Sequence, residues 1–203
     1  TKGFWGMSLQ DIADEIGITE AALYHYISSK DDLLNMVLSE CYDTPDADEY
    51  NAVTAAVTDN DGHRVYFYPR YCLNIALYNL QRPELVQLYS VLNGEALSPT
   101  HPAHNFFIGR HMRNWEMICS MNWILPTGVD EERFYDLYTL AMSAMDGLQY
   151  RWLGDDSMNL LEEWMSISDI IFPPSEWAGF TDPSEYDPAP DRCLLPFTLS
   201  ARQ

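Results

Sequence analysis

Basic side chains are scarce in this chain: eleven Lys and Arg stand against 31 Asp and Glu over 203 residues, a formal net charge of −20. Spread evenly, that charge repels a phosphate backbone, so composition alone argues against nucleic-acid binding. Cysteine is sparse too. Cys41, Cys72, Cys119 and Cys193 stand far apart with no CxxC pair, which argues against a zinc knuckle or a disulfide framework and reads as reduced packing thiols. No run of about 18 apolar residues occurs, and the start has neither a basic n-region nor an apolar h-region, so the expectation is a cytoplasmic protein without membrane span or signal peptide. Also missing are a nucleophile–base motif, a phosphate loop and a metal quartet; the expectation is no catalytic residue, no metal and no cofactor.

What is present is a 47% hydrophobic composition in a chain long enough to bury a substantial core as one or two domains. Residues 8–42 carry the most informative pattern. Ser8 is a good N-cap with Asp11 at the N3 position of a loose capping box, and Leu9, Ile12, Ala13 and Ile16 follow at i, i+3, i+4, i+7, one apolar face of a short helix. Gly17 stops that helix in the left-handed region, and Thr19 caps a second one, Glu20 to Tyr26, which turns Leu23 and Ile27 inward and leaves Glu20, Ala21, Tyr24 and His25 facing outward. Ser28, Ser29 and Lys30 break and restart the chain. A third helix runs from about Asp31 with Leu33, Leu34, Val37, Leu38 and Cys41 on its buried side. Two short helices on a glycine turn are the geometry that places a recognition helix in a major groove.

The stretch SLQDIADEIGITEAALYHYISSKDDLL resembles the helix-turn-helix signature of TetR-family repressors through Ser8, Ile12-Ala13, Gly17, Leu23-Tyr24, Ile27 and Ser29-Lys30-Asp31 with Leu33. The resemblance implies phosphate contacts for Ser8, Thr19, Tyr24, Tyr26 and Lys30 and base-edge contacts for Glu20, Ala21 and His25. Core packing is the bland reading of Tyr24. The chain departs from the pattern at Tyr26, where the family usually has His, and at Ile27, where it usually has Phe. Charge departs further: residues 1–42 hold only Lys2 and Lys30 against seven acids, a net of −5. The family has a helix before the segment seen here as Gly3-Phe4-Trp5-Gly6. The sequence lacks an initiator Met, so this first helix is expected to be missing from it.

Residues 43–62, acidic and broken by Pro45 and Asn60-Asp61-Gly62, read as a connector. Asp59-Asn60-Asp61-Gly62 is similar to part of a calcium loop without its alternating ligands or closing Glu, so a solvated turn is expected. Residues 63–172 then form the ligand-binding and dimerisation domain, with helices near 65–81, 84–97, 102–125, 130–153 and 157–172. EALSPTHPAHNFF followed by Arg110 resembles part of one TetR subfamily's ligand domain. His101, His104 and His111 lack metal-ligand spacing and are read as capping or hydrogen-bonding residues. The tail, 173–203, with six prolines and five acids, is expected to be extended and ends in an apolar patch, Leu194, Leu195, Pro196 and Phe197.

The whole reads as an all-α, TetR-like fold. Its ligand-binding candidates are an aromatic and methionine lining, Tyr66, Tyr71, Tyr78, Tyr89, Phe106, Met112, Trp115 and Cys119, suited to a small apolar or amphipathic effector; plain core is the bland alternative. Tyr138, Ala141, Met145, Leu148 and Trp152, then Leu160, Trp164, Ile167 and Ile171, form two helical seams. The family resemblance makes them a four-helix homodimer interface; burial in the monomer core is the alternative. The function expected is a ligand-responsive repressor whose homodimer binds double-stranded operator DNA. A dimeric small-molecule-binding protein with weak or lost DNA binding, and a helical enzyme, stand as the other readings.

Overall fold

The computed structural model describes residues 2–41, 52, 54–187 and 193–195. In chain order the elements are α1 (Leu9–Ile16), α2 (Glu20–Leu23), α3 (Lys30–Cys41), β1 (Ala56–Thr58), β2 (Arg64–Tyr66), α4 (Tyr68–Leu80), α5 (Pro83–Glu95), α6 (His104–Cys119), β3 (Trp123–Leu125), α7 (Glu131–Trp152), α8 (Leu160–Ile171), α9 (Pro174–Trp177), a 3₁₀ turn (Pro183–Glu185) and β4 (Cys193–Leu195). The architecture is mostly helical and of the all-α class, with one small sheet. Among the described residues no helix is long and apolar enough to cross a membrane.

Contacts group the chain into two compact units, Thr1–Ala47 with Glu84–Arg110, and Asp48–Pro83 with His111–Gln203. Linear boundaries at residues 42 and 62 therefore do not describe the packing. Residues 84–110, expected in the ligand domain, share a core with the head: Phe4, Leu34, Leu38, Leu92, Ala96 and Ala103 form one buried cluster. A second cluster in that unit joins Leu9, Ala13, Leu23 and Ile27, with Ile12 and Leu33 at its edge. Two residues expected on these faces do not join them. Ile16 is 59% exposed and Cys41 is exposed, because each lies at the last turn of its helix, beyond the partner it would need.

The other unit is built on a four-stranded sheet ordered β1-β2-β3-β4, with β1–β2 and β3–β4 antiparallel and β2–β3 parallel. Asp59 closes the β1–β2 turn by accepting from the backbone N–H groups of Asp61 (2.9 Å) and His63 (2.7 Å), with Gly62 at φ 85°. The helix expected over 102–125 stops at Cys119, and Trp123–Leu125 is a strand buried on both faces. A fully buried strand of three apolar residues carries no period-2 signal, so its sequence is indistinguishable from the continuing stripe of a helix. The Trp123 indole donates to the Ile118 carbonyl at 2.7 Å, which secures the bend. Residues 1, 42–51, 53, 188–192 and 196–203 lie outside the described residues, so part of the expected connector and the patch residues Pro196 and Phe197 are not placed.

Asp130 and Asn159 cap α7 and α8, each accepting from backbone N–H groups in the first turn. These two helices pack on one another and α8 packs on α4. Between them lies an aromatic core: Tyr68 meets Phe134 edge-on at 4.9 Å and Trp123 at 5.3 Å, and Trp164 and Trp177 are fully buried. The expected tail is thus partly helical and packed, since α9 delivers Trp177 into this core and Asp182 pairs with Arg70 at 3.1 Å. Burial pushes the Cys72 thiol up to about 12 and the Cys119 thiol to about 11, so both stay protonated at neutral pH.

Candidate nucleic-acid interface

The head begins with a reciprocal cap. The Ser8 hydroxyl accepts from the Asp11 backbone N–H at 3.1 Å and donates to Asp11 Oδ2 at 2.6 Å, while the Ser8 backbone N–H reaches the same carboxylate at 2.8 Å. Those bonds, led by the Ser8 hydroxyl and backed by the Ser8 amide and Lys2, hold the Asp11 carboxyl well below the usual carboxylate range. At the other end of α1, Gly17 adopts φ 75°, ψ 29°; its N–H donates to the Asp14 carbonyl and the Ile18 N–H to the Ala13 carbonyl at 2.9 Å. This is the Schellman pattern, which turns the chain sharply and satisfies the last carbonyls of the helix.

Thr19 then caps α2, its hydroxyl accepting from Ala22 N–H at 3.1 Å. α2 ends at Leu23 rather than Tyr26. Beyond it the chain tightens, with His25 and Tyr26 donating three residues back to Ala22 and Leu23. The chain restarts at α3, where Asp32 N–H donates to the Ser29 hydroxyl at 3.0 Å and the Asp32 carboxylate accepts from Ser28 N–H at 2.8 Å. Leu23 and Ile27 face the core, so the opposite side presents Thr19, Ala21, Tyr24, His25 and Tyr26 to solvent, Tyr26 at 78% exposure. Glu20 is half-buried and accepts from the Tyr24 hydroxyl at 3.3 Å. Tyr24 thus lies on the outer face, and its packing reading gives way.

Five of the eight expected DNA contacts are engaged within the head itself, Thr19 in its cap and Glu20 with Tyr24 as described, and Ser8 and Lys30 besides. Ser8 spends its hydroxyl on the cap, and Lys30 holds its ammonium 4.3 Å from the centre of the Phe4 ring. Lys2, the other cation of this region, pairs with Asp11 at 3.2 Å, both side chains being exposed.

The sensor candidates are divided between the two units. Tyr89 and Phe106 belong to the unit that holds the head, while Tyr66, Tyr71, Tyr78, Met112, Trp115 and Cys119 belong to the other. Tyr71, Trp115 and Cys119 are buried in its aromatic core, Tyr66 packs at the edge, and Met112 is exposed. Tyr78 carries Arg82 over its ring, as Tyr89 carries Arg110. The three histidines take separate places: His101 is buried, His104 Nδ1 meets the Ala96 carbonyl at 2.7 Å, and His111 Nε2 meets the Tyr135 hydroxyl at 3.2 Å. An open cleft of about 370 Å³, which the sequence did not signal, is lined by Pro126, Thr127, Val129, Arg133, Glu176 and Phe180.

The two seams expected between subunits pack inside one chain. Tyr138, Ala141, Met145, Leu148, Leu160, Trp164 and Ile171 are buried there, and Trp152 and Ile167 pack against the same core. The reason is geometric: α7, α8 and α4 use these seams on each other. The apolar side chains that α7 and α8 turn to solvent are Leu140, Tyr150, Met165 and Ile170.

Two outcomes follow for the head. A Cβ at Gly17 meets nothing within 4 Å, so its substitution tests backbone conformation alone. Gly17→Ala is expected to destabilise by about 1 kcal/mol and Gly17→Asn by less, measured by urea unfolding. For Asp11 the folded carboxyl titrates below the unfolded one. Its contribution is therefore complete above the ordinary carboxylate value and disappears as pH falls through the lowered folded value. Acid unfolding followed by circular dichroism is expected to lose that component in Asp11→Asn.

Residues 1–37 match the family model described as bacterial regulatory proteins, tetR family. No curated protein and no solved structure matches the chain. The matched residues span the capped α1, the Gly17 turn, α2 and the start of α3, the same parts that present the exposed face just described. On that match, residues 1–37 are similar to the N-terminal helix-turn-helix region of bacterial tetR-family regulatory proteins, carried here on a mostly helical fold.

Proposed function

We propose that the protein is a ligand-responsive transcriptional repressor that binds a near-palindromic operator as a homodimer in the cytoplasm. The observation that carries this is the outer face of the head, where Thr19, Ala21, Tyr24, His25 and Tyr26 are exposed together on a segment locked at both ends by caps and the Gly17 turn. A rigid segment of this kind enters a major groove without further ordering cost. Thr19 and the tyrosine hydroxyls suit phosphate oxygens, and Ala21 and His25 suit base edges.

The dimer is assigned to the outward face of α7 and α8. Leu140, Tyr150, Met165 and Ile170 are large apolar side chains left in water, with Tyr150 70% and Ile170 75% exposed, and Ser143 and Gly147 between them allow close helix approach. Two-fold pairing sets the two heads about 34 to 36 Å apart, one helical turn of DNA. An effector of small apolar or amphipathic character favours a conformation with another spacing, and by reciprocity operator DNA lowers its affinity equally. A second reading, a dimeric sensor with weakened DNA binding, is favoured by one specific observation: Lys2 is paired with the Asp11 carboxylate.

Binding to DNA from its own upstream region, across a salt series and against an unrelated duplex, separates the two. The repressor reading expects sequence-selective binding that weakens steeply with salt; equal binding to both duplexes sinks it. For the dimer, Tyr150→Glu with Ile170→Glu is expected to give a monomer by light scattering with an unchanged helical spectrum. A dimer that persists refutes this surface.

A further inference from the structure

Lys30 is the first residue of α3, and its place depends on a side chain far from it in sequence. Glu95, the last residue of α5, directs both carboxylate oxygens at the N-terminal turn of the head. Oε2 accepts the Phe4 backbone N–H at 2.7 Å. Oε1 lies where a Cβ at Gly3 would come within 2.3 Å, and Gly3 itself has φ 68°, so the close approach needs a glycine on both counts. The bond joins an ionised acceptor to a backbone donor in a half-buried place, the stronger class of hydrogen bond.

A buried histidine lies beside the same carboxylate without a hydrogen bond to it. His101 is 2% exposed; its Nδ1 accepts from the Ala103 N–H at 3.1 Å, which leaves the ring proton on Nε2, and Nε2 lies 3.5 Å from Glu95 Oε2. The His101 and Trp5 rings meet the Phe4 ring in T-shaped pairs at 5.1 and 5.2 Å, so the ring is held by two neighbours. Its face receives the Lys30 ammonium at 4.3 Å, while Leu34 and Leu38 of α3 pack into the cluster that Phe4 joins. The chain of contact thus runs from Glu95 to the Phe4 backbone, through the Phe4 ring, to Lys30.

We infer that Glu95 is a positioning residue for DNA binding: by pinning the Gly3-Phe4 turn it sets the Phe4 ring as the platform that presents the Lys30 ammonium to a backbone phosphate. This rests on the DNA-binding reading above. Removing the carboxylate frees the Phe4 N–H and unpins the turn. The ring then leaves Lys30, and the ammonium is no longer held at one place. Glu95→Gln keeps an oxygen acceptor and lies between wild type and Glu95→Ala.

The test uses the full chain and two readouts. Without DNA, the Lys30 ε-methylene protons over the Phe4 ring have an upfield NMR shift, expected to vanish in Glu95→Ala and to survive in part in Glu95→Gln. With upstream duplex DNA, the slope of log affinity against log salt is expected to fall by about 1 in Glu95→Ala, and not to fall further when Lys30→Gln is added. An unchanged Lys30 shift in Glu95→Ala overturns the inference, as does a lost shift with an unchanged slope. If wild type has the shift but binds no duplex selectively, the repressor reading fails and takes the positioning role with it, although the contact itself stands. Should Glu95→Ala lose its helical spectrum, Glu95→Gln carries both readouts.

Discussion

The left-handed backbone at Gly17 is the constraint on which the head is built. Eight residues of α1 bury Leu9 and Ala13, and α2 must bring Leu23 back onto them within one short turn. Only a residue that reaches φ near 75° without a Cβ penalty reverses the chain so quickly. Once the turn is set, Leu23 and Ile27 face inward and Tyr24, His25 and Tyr26 must face outward. Their exposure is a consequence of the turn, and function uses what the turn leaves in solvent.

The acidic composition acquires a local explanation in the structure. Asp11, Asp32, Asp130 and Asp182 each accept from backbone N–H groups at or beside the start of a helical segment, where unpaired donors and the positive end of the peptide dipoles favour negative charge. Asp59 does the same for a hairpin turn. Such acids are spent on chain direction. Basic residues have no equivalent use here: among the described helices, Arg151 of α7 is the basic residue in a last turn. The head therefore carries its two lysines in a field of acids, and each lysine is engaged, one by Asp11 and one by Phe4. A phosphate must compete with the Asp11 carboxylate for Lys2, whereas the neutral Phe4 ring leaves Lys30 its charge, which makes the placement of Lys30 decisive.

The two aromatic-rich cores differ in what they do. In the unit holding α7 and α8, rings of Tyr68, Trp115, Trp123, Phe134 and Tyr138 pack edge-on or tilted against one another in the interior, where their area stabilises the fold. In the unit holding the head, the Phe4 ring is a platform between His101 and Lys30. Similar side chains thus serve burial in one place and positioning in another, according to whether a charged group reaches the ring face.

The helix-turn-helix was legible because its signals are local: Ser8 with Asp11, Gly17, Thr19, and apolar residues three and four apart lie within one or two turns of the partners they need. The helices of the second unit were legible for the same reason, through the seams of α7 and α8. Legibility stopped where partners are distant. The seam Tyr138 to Leu148 announces an apolar face, and periodicity cannot say whether a second subunit or α8 and α4 cover it. Trp123 to Leu125 is a strand because β2 and β4 lie beside it, 57 and 72 residues away along the register Tyr66–Trp123–Leu195. Glu95 and Phe4, 91 residues apart, meet only in the folded unit. Sequence alone determined the caps, the turn and the helical periods, which are short-range and steric; tertiary structure decided which apolar face is core, which aromatic is platform and which acid holds the head, because those are contests among distant groups for the same surface.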